Sequence, residues 1–108
     1  MHILKSSELE SYWTNLVYPP KQITDYLLDL TIKKISSLDT QGALDFGGSE
    51  YQPSETQPVK PKIEEDPKYG WWSLSKGCYK VEYNEMLQKM CQAIVYPHQR
   101  LLMTGCFH

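Results

Sequence analysis

Arginine occurs once in these 108 residues, at position 100, and thirteen acidic against eleven basic side chains leave a net charge of −2. No broad cationic face exists to neutralise a run of phosphates, which excludes nucleic-acid binding as a leading function. No apolar run approaches the roughly 18 residues of a membrane span, and Met1-His-Ile-Leu-Lys-Ser-Ser-Glu8 lacks the basic-then-apolar order of a signal peptide. A soluble, cytoplasmic protein with no membrane partner is the expectation. The three cysteines, Cys78, Cys91 and Cys106, are odd in number, widely spaced and without a C-x-x-C pair, so neither a disulfide framework nor a zinc knuckle is indicated. They read as reduced, buried small hydrophobes. The chain also lacks a P-loop, a G-x-G-x-x-G turn and a G-x-S-x-G elbow around Ser73 or Ser75.

What is present fits one small domain, with 41% apolar and 12% aromatic residues to build a modest core. Ser7-Glu8-Leu9-Glu10 reads as a capping box, followed by an apolar stripe of Leu9, Tyr12, Trp13 and Leu16 on a short helix that stops before Tyr18-Pro19-Pro20. From Gln22 to Ile35 two periodicities compete. Ile23, Tyr26, Leu27 and Leu30 fit a helix, whereas Leu28, Leu30 and Ile32 alternate as in a strand. The β-branched Thr31, Ile32 and Ile35 favour a strand over 28–35, with Lys33-Lys34 interrupting it as a bulge does. Asp39 to Gly42 reads as a turn, Ala43–Phe46 as a short second strand, and Gly47-Gly48 as a break.

Residues 47–68 hold four of the seven prolines among polar and charged residues, which predicts a long exposed loop. The strongest β pattern follows, with Gly70–Leu74 and Cys78–Tyr83 joined at Gly77 as a hairpin or a sharp corner, Tyr79, Val81 and Tyr83 sharing one face. Gly77 is expected to supply a positive φ. Cys91–Pro97, apolar on both faces apart from Gln92, predicts a central strand.

The order of these pieces resembles the dUTPase and dCTP deaminase family. The matching segments are Asp29-Leu-Thr-Ile-Lys-Lys-Ile35, Trp72-Ser-Leu-Ser-Lys-Gly-Cys-Tyr-Lys-Val81 and Ala93-Ile-Val-Tyr-Pro97 leading to Leu101-Leu-Met-Thr-Gly105. The likeness runs from about Gln22 onward. It implies a mainly β fold, a partial distorted jelly-roll or β-clip barrel with a short N-terminal helix, spanning 1–108 as a single domain and assembled as a homotrimer. It further implies dUTP or dCTP as ligand and Mg2+ accompanying the nucleotide.

Two family motifs can be sought. The first places an aspartate at the metal and phosphate region, and Asp29-Leu30 matches it, although the preceding Tyr26-Leu27-Leu28 lacks the family's small residues. Asp29 would then act on the metal through water. The second, normally Arg-Ser-Ser opening a helix whose hydroxyls and amides hold the triphosphate, falls on His98, Gln99 and Arg100. There a largely neutral imidazole replaces the arginine, a bulkier amide the first serine, and Met103 a basic residue. Arg100 can still offer a phosphate fork from a shifted position.

The family's later motifs, with the water-activating aspartate of the dUTPases and the proton-shuttling glutamate of the deaminases, lie beyond residue 108. The expectation is a nucleotide-metabolism protein that is incomplete or degenerate as it stands, a dUTP diphosphatase or dCTP deaminase if active. The alternative is a non-enzymatic oligomeric or structural subunit that uses the 47–68 loop or the aromatic face of Tyr69, Trp71, Trp72, Tyr79 and Tyr83. Outside the family pattern, Glu64-Glu65-Asp66 reads as a solvated loop cluster. Cys106-Phe107-His108 has no companion ligands, and a Cys78 or Cys91 nucleophile with His98 would sit in apolar strands that raise the thiol pKa.

Overall fold

The computed structural model describes residues 2–63 and 70–107. Glu64-Glu65-Asp66, Tyr69 and His108 lie outside them. Helix α1, Ser6–Tyr12, starts one residue before the expected cap. The Glu8 carboxylate reaches back to accept the Lys5 amide at 2.9 Å, so Glu8 rather than Glu10 closes the first turn. The apolar stripe then splits. Leu9 is buried on the helix, while Trp13–Thr14 leave it as β1 and pair antiparallel with β9, Met86–Leu87.

Helix α2, Pro19–Gln22, carries proline at its first positions, where no amide hydrogen is needed. It runs into a tight antiparallel pair, β2 (Ile23–Thr24) and β3 (Leu27–Leu28), reversed at Asp25, whose φ is +37°. The two periodicities over 22–30 therefore compete because neither element exists: the chain turns back on itself within six residues. The strand expected at 28–35 begins instead at Ile32, as β4, Ile32–Leu38.

Strand β4 is the middle of a three-stranded antiparallel sheet, flanked by β5 (Thr56–Pro58) and β8 (Tyr79–Tyr83). Ile32 faces Tyr83 but Lys34 faces Glu82, so the register shifts at Lys33, where the sequence predicts a bulge. Ile35, 3% exposed, sits opposite Val81 and anchors the core. Pro58 ends β5 on the sheet's edge, where a missing amide costs no ladder bond.

The segment from 47 to 63 is exposed apart from half-buried Ser54 and Val59, yet it holds β5 and β6 (Lys62–Ile63). Strand β6 pairs with β7, Gly70–Trp71. Consequently Gly70–Leu74 and Cys78–Tyr83 form no hairpin, since β7 pairs with β6 and β8 with β4. Gly77 is not among the positive-φ glycines either; the corner is closed by the Tyr79 hydroxyl donating to the Ser75 carbonyl at 2.7 Å. In place of a strand at Ala43–Phe46 there is one bridge, Ala43 to Gln52. Gly42 makes it possible, because a Cβ there would stand 2.8 Å from the Gln52 carbonyl oxygen.

The central strand expected at Cys91–Pro97 does not form. A segment apolar on both faces needs a sheet on either side, and here Ile94 and Tyr96 remain 76% and 70% exposed. The three cysteines are exposed rather than buried for the same lack of cover. Helix α3, Gln99–Met103, follows.

The fold is thus mainly β, with short helices and no closed barrel among the described residues. No helix among them is long and apolar enough to cross a membrane. The accessible surface, 9726 Å², exceeds the roughly 6,200 Å² of a compact monomer of this mass. The radius of gyration, 16.8 Å, likewise exceeds about 13 Å.

Candidate functional site

The most organised polar structure lies where the end of α2, the connection into β4 and the residues just after β8 meet. Glu85, 6% exposed, accepts at both carboxylate oxygens. The Thr31 amide donates at 2.9 and 3.1 Å, the Thr31 hydroxyl at 2.5 Å and the Gln22 side-chain amide at 2.8 Å. The Asn84 side-chain amide donates in turn to the Thr31 hydroxyl oxygen at 3.0 Å. Burial on its own pushes the Glu85 carboxyl up. The Thr31 hydroxyl and amide, the backbone of Glu85 and the Gln22 amide outweigh it and hold the group below the usual carboxylate value.

Asp29 lies beside this cluster in sequence and is tied to it through its backbone. Its amide donates to the Gln22 carbonyl at 2.8 Å, and its carbonyl accepts from the Gln22 side chain at 2.9 Å. Gln22 is itself fixed by the Tyr18 amide, which donates to its side-chain oxygen at 2.7 Å. The Asp29 residue itself is exposed.

His98, Gln99 and Arg100 open α3. His98 is its N-cap, with Nδ1 accepting the Arg100 amide at 3.1 Å, so the imidazole fills the capping place that a serine hydroxyl takes elsewhere. The helix closes with Cys106 donating to the Leu101 carbonyl and Gly105, at φ +85°, to that of Leu102, the paired bonds of a Schellman ending. The backbone bonds of 98–106 are local, and among the described residues no hydrogen bond joins α3 to Asp29. Asp29 and the opening of α3 are thus joined by no hydrogen bond among the described residues.

Sequence reasoning missed Glu85, Gln22, Thr31 and Asn84. One signal was available for Glu85: it continues the parity of Tyr79, Val81 and Tyr83, which places a carboxylate where an inward-facing residue belongs.

Proteins from Methanosarcina mazei and Methanosarcina barkeri, each named "Probable deoxyuridine 5'-triphosphate nucleotidohydrolase", are 32% identical to this chain over 114 aligned positions. The match covers 97% of the chain and 64% of each relative. A protein of the same name from Methanococcoides burtonii is 31% identical over 93 positions, 84% of the chain and 52% of that protein. No family model matches, and no solved structure does. The chain is dUTPase-like in sequence along nearly its whole length. It spans less than two thirds of the length of these relatives.

Proposed function

We propose that this chain serves pyrimidine deoxynucleotide metabolism as a dUTPase-like protein whose ligand is a deoxynucleoside triphosphate, dUTP or dCTP. The observation that carries the reading is its 32% identity, over 97% of its length, to proteins named as probable deoxyuridine triphosphate hydrolases. Asp29, His98, Gln99 and Arg100 are the residues assigned to the metal and phosphate region. Arg100 forks onto phosphate oxygens, and the Gln99 side-chain amide adds a neutral donor. His98 shapes the helix start that presents them.

Mg2+ takes six oxygens, commonly one or two carboxylates together with substrate phosphates and water. Asp29, a lone exposed carboxylate, would act on the ion through its coordinated water. The ion would enter with the nucleotide and neutralise phosphate charge. Pyrophosphate release and deamination each need a further acid/base carboxylate at the reacting atom, which these four residues do not provide. These four residues are accordingly assigned binding.

Assembly as a homotrimer fits the unusually large exposed surface. A reducing cytoplasm fits three unpaired thiols. Calorimetric titration with dUTP, dCTP and a non-hydrolysable dUTP analogue, with and without Mg2+, tests the reading while pyrophosphate and ammonia are followed. Magnesium-dependent binding of either nucleotide is expected. Binding of none of the three overturns the reading.

A further inference from the structure

We propose that Glu85 is a positioning residue, whose buried carboxylate acts through Gln22 and Thr31 to fix the backbone that carries Asp29. The inference rests on the assignment of Asp29 to the metal and phosphate region.

Residues 29–31 belong to no strand; they bridge the end of β3 and the start of β4. Such a connection would ordinarily be free to shift, yet here its backbone is tied on both sides of Leu30. Upstream, Gln22 holds both polar groups of Asp29, the amide with its own carbonyl and the carbonyl with its side chain. Downstream, Glu85 holds the Thr31 amide with both oxygens, and the Asn84 amide donates to the Thr31 carbonyl at 3.0 Å. The two ties are one structure, because the Gln22 side-chain amide that reaches the Asp29 carbonyl also donates to Glu85. Every bond to the carboxylate comes from a neutral donor, and no cation neutralises it among the described residues. A buried anion held in this way gives strong, directional bonds while its removal leaves several donors without an acceptor. The arrangement suits a device that fixes geometry. A carboxylate that must meet a hydrated ion has to be held within a fraction of an ångström, and an exposed residue gets that precision only from its backbone.

The test uses the intact chain and two readouts. Amide hydrogen exchange, without nucleotide, compares the unsubstituted protein with Glu85→Gln. Exchange at Asp29 and Thr31 is expected to quicken by about tenfold or more, with Ile35 unaffected. Unchanged protection at 29–31 overturns the tie itself. Affinity for dUTP with Mg2+ is then measured in a double-mutant cycle with Asp29→Asn. Glu85→Gln is expected to weaken binding about tenfold in the native background and to add little once Asp29 is replaced. Equal losses in both backgrounds overturn the positioning role, since a merely structural effect does not depend on Asp29. If Glu85→Gln fails to fold, Thr31→Val, which removes the hydroxyl that donates to Glu85 and accepts from Asn84 while keeping the backbone amide bond to Glu85, is read in the same way with smaller changes. Absence of nucleotide binding by the unsubstituted chain overturns the proposed function and the positioning role with it; the exchange result still decides whether the tie exists.

Discussion

Gln22 and Glu85, 63 residues apart, meet in a buried hydrogen bond of 2.8 Å between amide and carboxylate. Each also grips the short connection that follows β3, so one pair of side chains joins the end of α2 to the residues just after β8. The same pair sets how the fold responds to acid.

The carboxyl of Glu85 is held below its ordinary value in the folded chain, so the unfolded chain takes up the proton first. Its contribution to stability is complete above the ordinary glutamate value of about 4.3 and is lost as the pH falls below that, through the folded value. Urea midpoints measured from pH 7 to pH 3 are expected to drop over that window. Glu85→Gln is expected to start lower and show a flatter profile; an identical slope in the variant would remove Glu85 as the cause.

Ile35 is one of two buried apolar residues among those described, the other being Leu9. Ile35→Ala leaves a cavity in the middle strand, opposite Val81, and is expected to cost about 3 kcal/mol. Chemical denaturation checks it, and a loss below about 1 kcal/mol would mean that the sheet is not the seat of the core.

Trp71 and Trp72 are neighbours with opposite fates. Trp71 is 65% exposed on β7, while the Trp72 indole donates to the Val59 carbonyl at 3.2 Å. Trp71→Phe is expected to change stability by less than about 0.5 kcal/mol, and Trp72→Phe to cost about 1 kcal/mol through the lost bond. Thermal unfolding of the two variants gives the comparison directly.

Arg100→Ala removes the sole guanidinium of the chain. A charged hydrogen bond of this kind is worth about 1.5–3 kcal/mol, so dUTP affinity is expected to fall about tenfold or more in calorimetry. Unchanged affinity would take Arg100 out of the phosphate region.

The sequence was most legible where one physical signal acted alone. Alternation marked Tyr79–Tyr83 as a strand, and the paired lysines marked the bulge at Lys33. The dUTPase-like character was legible in Asp29–Ile35 and in the approach to Gly105, and the relatives carry it independently. Legibility failed where the partner decides the outcome. Ala93–Tyr96 has the apolarity of a central strand, but apolarity cannot create the neighbouring strands that would pair with it. Gly70–Leu74 and Cys78–Tyr83 are adjacent in sequence, yet each finds its partner elsewhere. Asp29 and the α3 opening were proposed for the site from motifs alone. The Glu85 cluster was not, because Gln22, Thr31 and the adjacent pair Asn84-Glu85 come together only in three dimensions.

The pairing of β4 with β8 has a kinetic consequence. Ile35 and Val81 are 46 residues apart, so the central ladder closes a long loop before it gains a single cross-strand contact. During synthesis β4 must wait, with one edge unpaired, until residue 83 has emerged. Glu85 follows two positions later, so the carboxylate that ties Gln22 to Thr31 arrives as a latch on a sheet that has just formed.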